Sequence, residues 1–256
     1  MRIDVVTPTR RRPERLLEAL ASLQDQTHQD WRALVVDDGD GEGVRAAALA
    51  ADPRIVAFRN PGRGQVDARN AALRVAEGEI VMLLDDDDLL LDPEHMTRVV
   101  QRLAHGPALV HRSGWLLFER DGVEGERERF DPRADGASLR RDNTVLTCGL
   151  AWPRALHDLL GPFDAELDGY YDWDWTLRVL DAGVPLVELP GPGVGYRIHA
   201  GNGSASRSAR RAAAFERFRV KHGLQVVQKD HLQVHRERGV PTATVDAGPR
   251  AAGTGV

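Results

Sequence analysis

Glu79-Ile80-Val81-Met82-Leu83-Leu84, a strand running into Asp85-Asp86-Asp87-Asp88, sets the fold. A short apolar run bounded by polar residues reads as a strand buried on both faces, as in a parallel sheet. Four adjacent carboxylates repel one another and are costly beside a buried strand. A hard cation such as Mg²⁺ or Mn²⁺, which prefers oxygen ligands, would relieve that cost. The same residues also read as an acidic loop without a ligand.

Upstream, the strand pattern recurs three times with helices between. Ile3 to Thr7 is apolar, and Pro13 then opens a helix with Leu16, Leu17, Leu20 and Leu23 on one face. Ala33 to Val36 ends on Asp37-Asp38-Gly39 and is followed by an Ala-rich helix near 44–51. Arg54 to Phe58 ends near Asn60-Pro61-Gly62, before a helix over 66–76. Downstream, Asp92-Pro93-Glu94 starts a helix with Met96, Val99, Val100 and Leu103 on its apolar face. This alternation predicts an α/β fold with a parallel sheet covered on both sides. Ligands then bind outside the carboxyl ends of the strands. Those ends carry Thr7 and Thr9, Asp37 and Asp38, Asn60, and Asp85 to Asp88.

The second half is less regular. Strands are expected at 109–112 and 115–119, a turn at Asp121-Gly122, a solvated charged stretch at 124–129, and helices at 153–160, 173–182 and 207–222. The Gly-, Ala-, Thr- and Pro-rich residues 241–256 are expected to be disordered. A length of 256 residues accommodates one large α/β domain or two subdomains sharing a core. The net charge of −5 gives no reason to expect nucleic-acid binding. The single cysteine, Cys148, excludes an intramolecular disulfide and reads as a buried, inert thiol. No signal peptide or apolar span is present, so a cytoplasmic protein without a transmembrane segment is expected, peripheral at the inner membrane face where the acceptor is lipid-linked.

Other constellations bear on chemistry. A carboxylate at Asp37 or Asp38 suits a nucleobase N–H or ribose hydroxyl, and equally an acidic turn. Gly39-Asp40-Gly41-Glu42-Gly43 is not a dinucleotide fingerprint, because it follows the wrong strand and its acids would repel a pyrophosphate. Arg69 reads as a phosphate or base ligand or as a helix-surface arginine. In Tyr170-Tyr171-Asp172-Trp173-Asp174-Trp175, rings and carboxylates suit a sugar site; alternatively the tryptophans are core and the acids caps. Tyr196-Arg197-Ile198-His199, with Asn202 and Ser204, is placed past the last strand.

Together these segments resemble family 2 of the glycosyltransferases. The resemblance rests on Val6-Thr7-Pro8-Thr9 with Pro13-Glu14-Arg15-Leu16, then Gln26-Thr27, Trp31 and Val35-Val36-Asp37-Asp38-Gly39. It continues through Ala68 to Leu73, Ala76 to Glu79, Leu84 to Asp88 (an Asp-x-Asp motif), Asp172-Trp173-Asp174 with Leu177-Arg178, and Tyr196 to His199, over roughly residues 3–204. It implies a GT-A type, Rossmann-like nucleotide-binding sheet with a contiguous acceptor-binding subdomain. The expected division is a nucleotide-sugar half at 1–105, an acceptor and catalytic half at 106–205, a helical segment at 206–240 and the tail. It implies an inverting, metal-dependent transfer from a nucleoside-diphosphate sugar (UDP first, GDP or dTDP as alternatives) to a hydroxyl acceptor: a polysaccharide, a lipid-linked sugar or a small glycoside. Thr7, Pro8, Thr9, Arg10, Asp37, Asp38, Arg69, Asp85 and Asp86 would bind the nucleotide sugar. Asp87 and His199 would hold Mn²⁺ or Mg²⁺, and Asp172 would deprotonate the acceptor. The chain departs from the family pattern in three places: Arg10-Arg11 where a Tyr-Asn pair is usual, Tyr171 before Asp172 where Glu is usual, and one extra residue between Asp88 and Pro93. Competing readings are a sugar-phosphate nucleotidyltransferase, disfavoured by the lack of glycine in Thr7-Pro8-Thr9-Arg10-Arg11, and a non-catalytic nucleotide-sugar-binding protein.

Overall fold

A computed structural model describes residues 1–120, 123–202, 208–238 and 245–246. The first half is built as its periodicity predicts. β1 (Ile3–Thr9) leads through α1 (Pro13–Gln24) to β2 (Trp31–Asp37), α2 (Glu42–Leu49), β3 (Ile55–Arg59), α3 (Gln65–Val75) and β4 (Ile80–Leu83). The four strands are parallel in the order β4-β1-β2-β3. All seven residues of β1 are buried, as a central parallel strand requires. Successive side chains go to opposite faces. Val5, Val35 and Met82 pack under α1 and α2, while Val6, Leu34 and Leu83 pack under α3. Thr9 pairs in register with Asp37, so the strand ends share one rim.

The second half joins the same sheet. β5 (Leu89–Leu90), α4 (His95–Leu103), β6 (Leu109–Arg120), β7 (Val123–Phe130), α5 (Gly136–Leu139), β8 (Ala151–Pro153) and α6 (Arg154–Leu160) follow in order. A 3₁₀ turn (Ala165–Tyr170) then leads to α7 (Tyr171–Asp181), β9 (Leu186–Ile198), α8 (Ala209–His222), α9 (His231–Arg238) and β10 (Val245–Asp246). β8 lies antiparallel to β4 and also pairs with β6, which carries β7 on one side and β9 on the other. The sheet therefore runs unbroken across residue 105. Met96, Val99 and Leu103 of α4 join the α1 face, and α7 and α8 cover the α3 face.

Two local expectations are corrected and a third is extended. The strands at 109–112 and 115–119 are one strand, with a register irregularity between Arg112 and Gly114. A Cβ at Gly114 would lie 2.6 Å from the Val194 carbonyl oxygen, so only glycine admits the neighbouring strand there. The charged stretch 124–129 is solvated as expected, residues 125–129 being exposed or half-buried, but it is also strand β7, hydrogen-bonded to β6. Tyr196 to Ile198 lie within β9 rather than past the last strand, because β9 continues parallel to β6 through Phe118 and Ile198. Asp121-Gly122, Ser204 and most of the expected disordered tail fall outside the described residues; of that tail, Val245 and Asp246 pair with Arg127 and Glu126. Among the described residues, no helix is long and apolar enough to cross a membrane.

Candidate functional site

The strand ends, the loop after β1 and the N-terminus of α7 enclose a cleft of about 430 Å³. Pro8, Thr9, Arg10, Asp38, Arg69, Asp85, Asp86, Asp87 and Asp172 all line it. Residues 163 positions apart in sequence, Thr9 and Asp172, thus share one cavity.

Each carboxylate of the acid run after β4 has at least one partner. Asp86 accepts from Thr9 Oγ1 (2.7 Å), the Arg10 amide (3.3 Å) and Arg12 Nη1 (3.2 Å). Asp87 accepts from Arg12 and lies 2.9 Å from His199 Nε2. Because His199 Nδ1 accepts from the Gly201 amide (3.0 Å), Nε2 carries the proton and donates to Asp87. Asp88 Oδ1 accepts from the Arg197 amide (3.1 Å), but its buried Oδ2 has no partner. Burial pushes Asp86 up to about 6, and burial with the neighbouring charges raises Asp85 and lifts Asp88 well above the usual carboxylate range. At Asp87 burial works in the same direction but is outweighed by His199 and Arg12, which hold its pKa below the usual value. One oxygen each of Asp85, Asp87 and Asp88 lie within 4.8 Å of one another. An all-carboxylate oxygen set with an unpartnered buried oxygen fits a hard divalent cation.

Asp172 forms the opposing wall. It stands in the first turn of α7, where the helix dipole favours negative charge. Its Oδ2 accepts from Asn143 Nδ2 (2.9 Å) and Thr147 Oγ1 (3.0 Å). Between this wall and the acid run lies Arg69, almost wholly buried. It donates to Asp85 and to Gln65 Oε1 (3.1 Å), and its guanidinium lies 4.4 Å from the Tyr171 ring centroid. Tyr171, which replaces the usual Glu, is thus the platform for this arginine. The two readings of the aromatic run divide between its members. Trp173 and Trp175 are core: Trp173 Nε1 donates to the Leu139 carbonyl and Trp175 packs on Trp152. Asp174 is fully buried and bound by Arg178, Lys221 and His222, tying α7 to α8.

Three expected site residues do not line the cleft. Thr7 is fully buried inside β1. Asp37 is turned into the start of α2, accepting from the Gly39 (2.6 Å) and Gly43 (3.1 Å) amides, which leaves Asp38 to face the cavity. His199 reaches the site through Asp87. Conversely, Arg12, Thr147, Arg211 and His231 line the cleft without having been singled out. Arg12 is one of three consecutive arginines, and nothing local distinguishes it from Arg10 and Arg11. Arg211 and His231 lie on helices whose docking is not encoded nearby. Cys148 is buried, its thiol pKa lifted by burial, and serves as packing.

The sequence profile described as Glycosyl transferase family 2 matches residues 4–151. The uncharacterized glycosyltransferase YwdF of Bacillus subtilis is 31% identical over 230 residues, covering 88% of this chain and 85% of its own. WfgD of Escherichia coli, a UDP-Glc:α-D-GlcNAc-diphosphoundecaprenol β-1,3-glucosyltransferase, is 30% identical over 67% of this chain and 68% of its own. The mannosyltransferase PcManGT of Pyrobaculum calidifontis, solved with GDP-Man and Mn²⁺, superposes with a TM-score of 0.65 at 21% identity, covering 86% of this chain and 63% of its own; at that identity the likeness establishes the GT-A fold.

Proposed function

The chain belongs to glycosyl transferase family 2 and is a glycosyltransferase, and from that premise we propose an inverting transfer from a nucleoside-diphosphate sugar to a hydroxyl acceptor, assisted by a divalent cation. The observation that carries the reading is the placement of Asp172 across one cleft from Asp85 and Asp87, whose carboxylates cluster with that of the buried Asp88. Thr9, Asp38 and Arg69 are the groups offered to the nucleotide. Asp85, Asp87 and Asp88 would hold Mn²⁺ or Mg²⁺, with His199 bonded to Asp87, and the cation would neutralise charge on the departing diphosphate. Asp172 takes the proton of the acceptor hydroxyl. The hydroxyl oxygen bonds to the anomeric carbon as the bond to the diphosphate oxygen breaks, and a single displacement inverts that carbon. UDP- and GDP-sugars are the first donors to test, since WfgD is named for a UDP-sugar and PcManGT was solved with GDP-Man. A lipid-linked sugar is among the candidate acceptors, because WfgD is named for one.

Calorimetry of UDP, GDP and dTDP with and without Mn²⁺ tests the donor site. Binding that Mn²⁺ strengthens, with the enhancement lost in Asp87→Ala, supports the reading; affinity indifferent to metal removes the cation from it. NMR of the product's anomeric proton tests inversion, and a retained configuration excludes the single displacement.

A further inference from the structure

His231 opens α9, well beyond the family-matched residues, yet it lines the same cleft as Asp172. Its ring is held edge-on against Tyr196 (centroids 5.2 Å apart) and Phe130 (5.7 Å). Its Nε2 lies 3.3 Å from the carbonyl oxygen of Val145. Val145 sits midway between Asn143 and Thr147, the two residues that donate to Asp172. A carbonyl can only accept, so Nε2 carries the proton at this contact and Nδ1 is left with a lone pair. That Nδ1 is buried and has no protein partner. We propose that His231 is a positioning residue for the transfer: its Nε2–H pins the 143–147 segment that orients Asp172, and its Nδ1 accepts a hydrogen bond from a hydroxyl of the sugar acceptor. This rests on Asp172 acting as the base. Burial holds the imidazole below the ordinary histidine value, consistent with a neutral ring.

Two conservative variants separate the two functions. His231→Gln keeps an amide N–H near the Nε2 position and lacks the Nδ1 acceptor. His231→Asn offers an acceptor near Nδ1 and lacks the reach to Val145. ¹⁵N NMR of histidine-labelled protein should show the His231 proton on Nε2. Amide exchange of residues 143–147 should quicken in His231→Asn and match wild type in His231→Gln. With the donor selected by calorimetry and p-nitrophenyl glycosides as acceptors, His231→Asn should lower kcat about tenfold at unchanged acceptor KM. His231→Gln should hold kcat and raise acceptor KM roughly tenfold, the worth of one lost hydrogen bond. UDP affinity should be unchanged in both. A proton on Nδ1, unaltered exchange in His231→Asn, or equal loss of kcat in both variants overturns the inference. A wild-type protein that binds no nucleoside diphosphate instead overturns the enzymatic reading, while the NMR and exchange results still decide the pinning.

Discussion

Asp172→Asn isolates basicity from shape. The carboxylate uses one oxygen, Oδ2, to accept from Asn143 and Thr147. An asparagine at this position can turn its carbonyl oxygen toward those two donors, which places its NH₂ where the second carboxylate oxygen was. Packing and the first turn of α7 are then preserved, and Asn remains compatible with a helix start. What is lost is the acceptor for the substrate proton. General-base catalysis is worth about 10²–10⁴ in rate, or roughly 3–5 kcal/mol in the barrier. Asp174, the nearest carboxylate in sequence, cannot substitute, because it is fully buried under Arg178, Lys221 and His222. We therefore expect kcat to fall by roughly 10²–10⁴ with UDP or GDP affinity and melting temperature close to wild type. The assay is steady-state release of nucleoside diphosphate, paired with calorimetric binding of the same nucleotide. A kcat within about threefold of wild type, with an acceptor known to be turned over, would refute the general-base assignment.

Further expectations follow from the same geometry. Arg12 pairs with Asp87, one of the carboxylates proposed for the cation, so Arg12→Met should tighten Mn²⁺ binding by roughly tenfold, about 1.4 kcal/mol, and lower the metal-free melting temperature; weaker Mn²⁺ binding by calorimetry contradicts this. Tyr171→Ala should cost about 3–5 kcal/mol of stability by opening a cavity and unstacking Arg69, whereas Tyr171→Phe, which keeps the ring, should melt near wild type and retain UDP affinity. His111 is buried with its pKa held down to about 4, so between about 6.5 and 4 the unfolded chain binds more protons there and its contribution to stability is lost as pH falls. The stability of His111→Gln relative to wild type should therefore shift in the variant's favour across that window by on the order of 3 kcal/mol; urea titrations showing a constant difference from pH 7 to 4 would rule this out.

The parallel sheet, its helices and the rim of strand ends were legible because they follow from local information. A run such as Ile80 to Leu84 can be buried only in a few ways, periodicities of two and 3.6 residues mark faces, and parallel strands deliver their carboxyl ends to one edge. The acid run stands out by its local chemistry, whereas Arg69 and Asp172 have two local readings each and are assigned to the site through the family resemblance; the structure brings them to one cleft. What sequence alone could not decide is which member of a pair faces the cavity. Asp37 and Asp38 are adjacent, and the amides that open α2 capture the first and leave the second. Asp172 and Asp174 lie two residues apart on a helix, hence about 200° around its axis, so one reaches the cleft while the other is driven into α8. Arg12 and His231 enter the site through contacts spanning about 75 and 86 residues, respectively, and no local pattern records such pairings. Tertiary packing made those choices, because each depends on which distant donor or ring arrives to satisfy a buried polar group.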